Sequence, residues 1–190
     1  MMPAAENLTK IFDNDRYTFV PAAVYKEKNK DKYLAVLGLC EAKDSVVCAD
    51  YIEVADAYNV YAISKKDYEA LQNSPETTTF HHASSVLVAS LIKDNLERTD
   101  DTRVYLNIKD QKFEMIVLKG RNLLFNNTFR FKTKEDFLYF LLFTIEQLHL
   151  DAGSVPVYFL GMIEEDSKIV EATSRYMRDI RFKKVTPCEL

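Results

Sequence analysis

Glycine is scarce in this chain: 4 of 190 residues, namely Gly38, Gly120, Gly153 and Gly161. Phosphate cradles of the P-loop or G-x-G-x-x-G kind need closely spaced glycines, because only glycine lets successive backbone N–H groups approach a phosphate without an intervening Cβ. The glycines here are too far apart to form either motif. Nucleotide-binding proteins that depend on those motifs are therefore excluded.

Cysteine is also scarce, and tryptophan is absent. Cys40, Cys48 and Cys188 are an odd number without C-x-x-C spacing, which favours a reducing compartment and provides neither a disulfide framework nor a metal site. No stretch approaches the ~18 consecutive apolar residues of a membrane span, and residues 1–10 lack the features of a signal peptide. We therefore predict a cytoplasmic location and no membrane insertion.

A strong charge of one sign is missing as well. The net charge is -4, from 29 acidic and 25 basic residues spread along the chain. A nucleic-acid-binding surface needs clustered basic residues, so no nucleic-acid partner is predicted. Apolar residues make up 47% of the sequence, which is enough for a hydrophobic core in one large domain or two small ones.

The clearest pattern present is a series of three strands in the second half of the chain. Apolar residues alternate along 104–108 and again along 113–117, and a third β-prone run covers 123–131. Polar turns at 109–111 and 120–122 separate these runs. The spacing predicts three sequential antiparallel strands.

A helix and a buried strand are predicted to follow this meander. Thr133 can cap a helix, and the wholly apolar run 157–160 is typical of a central parallel strand with both faces covered. A second helix is predicted over 169–177 and an edge strand over 180–185. This order of elements is that of an α/β unit of the ribonuclease-H-like kind.

Residues 1–100 have less regular patterns. The elements predicted there are helices at 6–12, after Ser64 and from Ser84, and strands at 17–20, 46–54 and 59–63. The polar stretch 95–101 is the candidate boundary between two halves of the chain.

Several segments together suggest a family. They read Asn59-Val-Tyr-Ala-Ile, Phe80-His-His-Ala-Ser-Ser, Tyr105-Leu-Asn-Ile, Phe113-Glu-Met-Ile-Val-Leu-Lys-Gly, Leu124-Phe-Asn-Asn-Thr-Phe-Arg-Phe, Thr133-Lys-Glu-Asp-Phe-Leu-Tyr-Phe and Tyr158-Phe-Leu-Gly. This pattern resembles the bacterial family known as domain of unknown function 3822. The likeness covers most of the chain and is most specific after residue 100.

The resemblance implies an α/β fold of the actin-like ATPase (ribonuclease-H-like) type, with two halves. Each half would have a mixed sheet, in which three antiparallel strands are joined by parallel strands and flanked by helices. It also implies a fold-level relation to the cytoplasmic actin-like proteins of pilus and secretion machines, but no established activity. Residues 1–100 are then expected to be an incomplete first half and residues 101–190 a complete second half.

The start of the chain departs from the family pattern. Family members normally carry a β-hairpin and a helix before the segment that matches Arg16 to Pro21, and here 15 residues precede Arg16. At ~3.3 Å per residue these are too few for the missing elements. The first half is therefore expected to expose a sheet edge, which tends to recruit another chain. A truncated or misassigned start is one explanation, and completion by a partner or a domain swap is the other.

The resemblance also directs attention to a nucleotide cleft. Actin-like ATPases usually carry a D-x-G-x-x-x phosphate turn, and the matching stretch from Asn107 to Gln111 has Asn for Asp and no glycine. Their adenosine-side strand ends in paired glycines, of which Gly161 is the one kept here. Asn107, Lys109, Asp110 and Gly161 are thus the expected residues of a degenerate nucleotide cleft. We predict no cofactor, and the alternative is ATP with magnesium.

Other catalytic patterns are weaker. Asp110 and Glu114 lie near the place of nuclease carboxylates, but Glu114 alternates with core residues and is expected on the surface. His81 and His82 precede two serines, Ser84 and Ser85, without a recognisable acidic third member. We expect a serine at this position to cap a helix, and we predict no catalytic and no metal-binding residue.

The helix after Thr133 is apolar nearly all round. Phe137, Leu141 and Ile145 share one face, whereas Tyr139 and Phe143 lie on another. Such a helix needs a second cover, and aromatic residues are enriched at interface centres. Tyr139 and Phe143 are therefore the predicted interface residues, for a protein partner or for self-association. The sequence favours a non-catalytic actin-like scaffold or interaction protein over the alternative, a nucleotide-binding or ATPase module.

Overall fold

A computed structural model of the chain describes residues 9–39, 44–75, 78–95 and 100–186. The chain divides into two compact units, one reaching to Ser90 and the other covering Leu91–Thr186. Cys40, Cys188 and residues 96–99 of the predicted boundary stretch lie outside the described residues.

The first unit contains two small sheets. Its strands are β1 (Thr9–Phe12), β2 (Tyr17–Pro21), β3 (Ser45–Ile52), β4 (Ala57–Ser64) and β5 (Thr79–His82), and its helices are α1 (Lys30–Ala35), α2 (Lys65–Gln72) and α3 (Ala83–Lys93), whose last residues belong to the second unit. Strands β2, β4 and β3 form an antiparallel sheet in that order, and β1 pairs with β5 in parallel.

The antiparallel sheet of the first unit is apolar on both faces. Val20, Val60 and Leu34 of α1 meet on one face. Tyr17 and Tyr61 are buried on the other. Both faces are apolar because alternate residues of each strand point to opposite sides of the sheet, and both sets of residues are largely apolar.

The predicted helix over residues 6–12 is wrong where the structure describes it. Thr9–Phe12 is a strand that pairs with β5, from Thr9 opposite Thr79 to Phe12 opposite His82. The Phe12 ring also packs edge-on against Phe80, with 6.2 Å between centroids. Contacts with a distant strand thus override the local helical pattern, while residues 6–8 lie outside the described residues.

The second unit has the predicted mixed sheet. Its strands are β6 (Thr102–Lys109), β7 (Lys112–Lys119), β8 (Asn122–Arg130), β9 (Val157–Gly161) and β10 (Ile180–Phe182), and its helices are α4 (Lys134–Gln147) and α5 (Lys168–Ser174). The strand order is β10-β9-β6-β7-β8. Strands β6, β7 and β8 form the antiparallel meander, and β9 runs parallel to both β6 and β10.

Helix α4 begins where its capping signal predicts. The Thr133 hydroxyl accepts a hydrogen bond from the Asp136 N–H, and the Asp136 carboxylate accepts the N–H groups of Lys132 and Thr133. These backbone donors lower the pKa of Asp136. The buried face of α4 then enters the core of the unit, where the Phe137 ring lies 4.5 Å from that of Phe113.

The longest described helix, α4, has 14 residues. Among the described residues, no helix combines the length and the apolar character that crossing a membrane requires.

Candidate functional site

Two of the expected cleft residues meet at the ends of neighbouring parallel strands. In the pairing of β6 with β9, Asn107 lies opposite Leu160 and Ile108 lies opposite Gly161. The chain then turns, and the Met162 N–H donates to the Ile108 carbonyl over 2.8 Å. In open α/β sheets, ligands bind at the carboxyl ends of such strands, so this is the place where the fold would hold one.

Gly161 is required here for two independent reasons. Its φ is +80°, which residues with a Cβ rarely adopt. A Cβ at this position would lie 2.3 Å from the Ile108 carbonyl oxygen and 2.7 Å from Oδ1 of Asn107. The side chain of Asn107 therefore packs directly against the glycine, and the glycine serves the close approach of two strands.

Lys109 and Asp110 continue from Asn107 into the hairpin turn. Lys109 pairs with Lys112, so the turn consists of Asp110 and Gln111. Gln111 has a φ of +50°, the value that glycine would adopt without strain. The turn thus has the tight geometry of a hairpin, but its backbone carries side chains at both central positions.

A hollow of about 420 Å³ opens beside Gly161. Its lining includes the acidic Glu164 and Glu165 and the basic Lys183 and Lys184. Of the four expected cleft residues, Gly161 is the one that lines this hollow. The structure therefore brings Asn107 and Gly161 together, and places Lys109 at the end of β6 and Asp110 on the adjoining turn.

Glu114 was expected on the surface, and this expectation is wrong. Only 2% of the residue is exposed, and its Oε1 accepts a hydrogen bond of 2.9 Å from Nδ2 of Asn126. The alternation rule failed because β7 is an inner strand of the sheet and is buried on both faces. Phe113 and Met115, which flank Glu114, are buried on one face, and Ile116 is buried on the same face as Glu114. Glu114 lies opposite Asn107 in the strand register, so a buried carboxylate adjoins the candidate cleft.

The first unit contains a second buried carboxylate, that of Asp50. Its Oδ2 accepts the His82 N–H at 2.8 Å and the Ser85 hydroxyl at 2.6 Å. Its Oδ1 accepts the Tyr61 hydroxyl at 3.1 Å and lies 3.2 Å from Nδ1 of His81. Asp50 thus holds the start of α3, where a serine cap was expected.

Asp50 was not predicted from the sequence, although the period-two pattern of β3 contains a signal of its burial. In β3, Cys48, Asp50 and Ile52 fall on the same side of a strand with period two, and all three are buried. An acidic residue in a row of apolar side chains indicates a buried carboxylate that needs donors. The row predicts the burial, but the donors come from β4, β5 and α3 and cannot be read from β3 itself.

The groups around Asp50 suit a structural role. Ser85 is fully buried, donates to Asp50 and accepts from Asn59, so its hydroxyl is not available as a nucleophile. Burial, followed by the nearby Asp50 charge, raises the pKa of Tyr61. Burial also raises the pKa of Cys48 to about 11, which keeps this thiol protonated at neutral pH. No group of three or more His, Cys, Asp or Glu side chains suited to a metal occurs among the described residues.

The two expected interface residues lie side by side on α4. Tyr139 is 62% exposed and Phe143 is 48% exposed, and their rings stack with 5.9 Å between centroids. Tyr139 also contacts Phe140, whose ring stacks on Phe129 of β8 at 4.8 Å. The exposed pair is therefore the outer end of an aromatic cluster that continues into the core.

Two solved structures share the fold of this chain. The chain is similar to a protein of Bacteroides thetaiotaomicron VPI-5482 with an actin-like ATPase fold and unknown function, with a TM-score of 0.83 and 14% identity over 92% of this chain and 67% of that one. It is also similar to a chain of the PilM–PilN type IV pilus biogenesis complex, with a TM-score of 0.50 and 11% identity over 93% of this chain and 69% of that one. The chain has the actin-like ATPase fold, as its sequence predicts.

The sequence profile of one family matches residues 6–180. The chain belongs to this family, which is described as Protein of unknown function (DUF3822). No curated protein matches the chain.

Proposed function

We propose that this protein is a non-catalytic actin-like scaffold that acts by binding another protein chain. The observation that carries the proposal is the stacked pair of Tyr139 and Phe143, which is exposed on a helix whose other face is part of the core. Exposed aromatic residues of this kind are typical of interface centres. The fold likeness to a chain of a two-protein pilus complex supports a role in assembly.

The strand ends support the same conclusion. A phosphate cradle is made of N–H groups on a glycine-containing turn, whereas the turn here consists of Asp110 and Gln111. The glycine that is present, Gly161, is used to let β9 approach β6. The proposed function therefore does not include hydrolysis of ATP.

The proposal includes a cytoplasmic location, because the odd number of cysteines favours a reducing compartment.

The test is a photo-crosslinking experiment in cells. Phe143 is replaced by benzoylphenylalanine, and Tyr176, which is also exposed in the second unit, is replaced in a matched control. We expect a discrete protein adduct from position 143 and none from position 176. Equal labelling at both positions, or no adduct from a protein that sizing shows to be monomeric, would contradict the proposal.

A second candidate function is nucleotide binding, for which the meeting of Asn107 and Gly161 at adjacent strand ends is the specific observation. Asn107, Lys109, Asp110 and Gly161 would form the cleft, and ATP with magnesium would be the ligand. The donor set fits magnesium poorly, because Asn107 offers a neutral amide oxygen where the fold usually has a carboxylate, and Asp110 is exposed on a turn. We derive no chemical step from it.

Calorimetry with Mg-ATP separates the two functions. Binding heat that is lost in Asn107→Leu, while Asn122→Leu at an exposed position of β8 retains it, would favour the nucleotide-binding function. No heat at millimolar Mg-ATP would retire that function and leave the scaffold as the remaining one.

A further inference from the structure

A cavity of about 540 Å³ lies at the amino-terminal ends of β6 and β9, at the opposite end of the second-unit sheet from Gly161. Ligand cavities in proteins usually measure about 300–1,000 Å³, so this one is large enough for a small organic molecule. Its lining comes from the start of β6, the loop after α4, the start of β9 and the strand β10. The charged and polar residues of the lining include Asp100, Asp101, Arg103, Asp151, Tyr158 and Arg181.

The strand register brings three hydrogen-bond donors of this cavity to one face of the sheet. Tyr158 of β9 lies opposite Arg181 of β10, and Val104 of β6 lies opposite Val157 of β9. Paired residues point to the same face of a sheet, and successive residues of a strand point to opposite faces. Arg103, Tyr158 and Arg181 therefore share the face that lies away from Val104 and Val157.

The guanidinium group of Arg181 is held in place but not saturated. Its Nε and one terminal nitrogen donate to the two carboxylate oxygens of Asp179, each over 2.7 Å. The other terminal nitrogen donates to the Tyr158 hydroxyl over 2.8 Å. A guanidinium has five N–H groups, so two of them have no acceptor among the described residues. The Tyr158 hydroxyl, which accepts from Arg181, still has its own proton to donate.

Arg103 has a similar surplus of donors, although it is buried. Only 6% of the residue is exposed, and its terminal nitrogens donate to Oδ1 of Asn95 and, over 3.3 Å, to Oδ2 of Asp101. The Tyr105 hydroxyl is a third acceptor within its reach. Five N–H groups thus meet three acceptors among the described residues. Buried donors without acceptors cost stability, so a ligand with acceptor oxygens in this cavity would remove part of that cost.

Acceptors with spare capacity line the same cavity. Asp100 and Asp101 are exposed immediately before β6. Asp151 accepts the Gly153 N–H over 2.9 Å and the Ser154 hydroxyl over 2.8 Å. These two donors lower the pKa of Asp151, so this carboxylate is ionised at neutral pH. Because each carboxylate oxygen can accept two hydrogen bonds, all three aspartates can accept more.

The mixture of charges decides the chemical class of the ligand. A carboxylate or phosphate would accept from the two arginines, but the three aspartates would repel it. An ammonium group would be attracted by the aspartates and repelled by the arginines. A hydroxyl group is neutral and both donates and accepts, so one hydroxyl can bridge an arginine and an aspartate. Several hydroxyls on one molecule match this lining, and Leu150, Val155 and Pro156 offer contacts to its carbon atoms.

We infer that this cavity binds a neutral molecule with several hydroxyl groups, of the monosaccharide or polyol class, whose hydroxyls bridge Arg103 and Arg181 to the aspartates of the lining. The inference goes beyond the proposed scaffold function and does not depend on it, because Tyr139 and Phe143 do not line the cavity.

The test follows the amide chemical shifts of the ¹⁵N-labelled full chain during titration. The neutral probes are D-glucose, D-galactose, D-mannitol and myo-inositol. The charged probes are acetate, inorganic phosphate, ethylammonium and the zwitterion L-alanine, with sodium chloride as the salt control. We expect at least one neutral probe to shift the amides of Arg103, Tyr158 and Arg181 with a Kd below about 10 mM. The charged probes should leave these amides unchanged at the same concentrations.

Matched variants locate the site. Arg181→Met keeps the length of the side chain and removes its donors, so we expect about tenfold weaker binding of the neutral probe. Its control is Arg175→Met, at an exposed arginine that pairs with Glu171 and does not line the cavity. Tyr158→Phe removes a second donor and should also weaken binding, whereas Tyr176→Phe should not. The amide spectrum of each variant shows whether its fold is kept.

The outcomes separate this inference from the scaffold function. No saturable shift from any neutral probe at about 100 mM, or tighter binding of a charged probe than of every neutral one, overturns the inference. Equal affinities of Arg181→Met and Arg175→Met, or shifts centred on Gly161 instead of the cavity, also overturn it. If a neutral probe binds as expected but position 143 gives no adduct, the inference stands and the scaffold function fails.

Discussion

Among the residues that the structure describes, each unit buries one carboxylate in a sheet, and the two carboxylates have different surroundings. Asp50 in the first unit receives the His82 N–H and the hydroxyls of Ser85 and Tyr61, with His81 alongside. Glu114 in the second unit receives one donor among the described residues, Nδ2 of Asn126. A buried acid with a full set of donors anchors a structure, whereas one with few donors costs stability.

This difference changes which acid is of functional interest. Asp50, His81 and Ser85 are residue types found in catalytic sites, but here they fix the start of α3. Glu114 instead lies opposite Asn107, beside the strand ends where the fold would bind a ligand. A buried acid whose acceptor oxygens are filled by protein donors thus indicates a structural role. A buried acid with few donors, beside strand ends where the fold binds ligands, is the better candidate for a functional role.

The largest expected effect is that of Asp50→Ala. It leaves three buried donors without an acceptor, each costing ~1–3 kcal/mol, so we expect the free energy of unfolding to fall by at least about 3 kcal/mol. Chemical denaturation measures the change. Asp100→Ala, at an exposed acid, should change it by less than ~0.5 kcal/mol. Similar losses in both variants would refute the anchoring role of Asp50.

Gly161→Ala should follow in size. The alanine must adopt a positive φ, at about 1–2 kcal/mol, and clash with Ile108 and Asn107, at about 1–3 kcal/mol. The matched control is Gly38→Ala, because Gly38 also has a positive φ, +67°, but a Cβ there would meet nothing within 4 Å. Denaturation should show the larger loss at Gly161. Equal losses in the two variants would mean that the end of β9 at Gly161 shifts enough to accommodate the added Cβ.

Replacing each buried acid by its amide should give effects of opposite sign. Asp50→Asn brings an NH2 group among donors and should destabilise the protein by about 1–3 kcal/mol. Glu114→Gln keeps an acceptor for Asn126 and removes a poorly paired charge, so it should be neutral or stabilising by up to about 1 kcal/mol. Thermal unfolding of both variants gives the two signs. A strongly destabilising Glu114→Gln would show that this carboxylate is well paired after all.

The smallest effect on stability is expected at an exposed carboxylate, that of Asp136, which contrasts with the two buried acids. Backbone N–H groups lower the pKa of Asp136 below its ordinary value of 3.8, so its contribution to stability is present above that value and is lost as the pH falls through the folded pKa. We expect Asp136→Asn to be less stable than the wild type at pH 7 and equal to it at about pH 2. Denaturation at several pH values checks this. A difference that persists at low pH would assign the effect to something other than charge.

Local signals in the sequence predicted much of the fold. The alternation in 104–108 and 113–117 and the Thr133 cap predicted β6, β7 and the start of α4, because these depend on neighbours in the chain. The strand at Thr9–Phe12 was missed because its partner, β5, is far away in sequence. Burial of Glu114 was missed because its position inside the sheet depends on both neighbouring strands.

The candidate sites were predictable to different extents. Tyr139 and Phe143 follow from helical periodicity, which places them away from Phe137 and Leu141, and the structure shows them exposed. The expected role of Asn107 and Gly161 came from a family resemblance, and it remains a prediction. That their strands lie side by side depends on pairing between β6 and β9, which no local pattern encodes.

The pairing of β1 with β5 also has a consequence for the order of folding. Thr9 and Thr79 are 70 residues apart, so their contact must close a long loop, whereas β6, β7 and β8 are joined by tight hairpins. Short-range contacts form faster than long-range ones. In pulse-labelling hydrogen exchange, the amides of the second-unit meander should therefore gain protection first, and those of Thr9–Phe12 among the last.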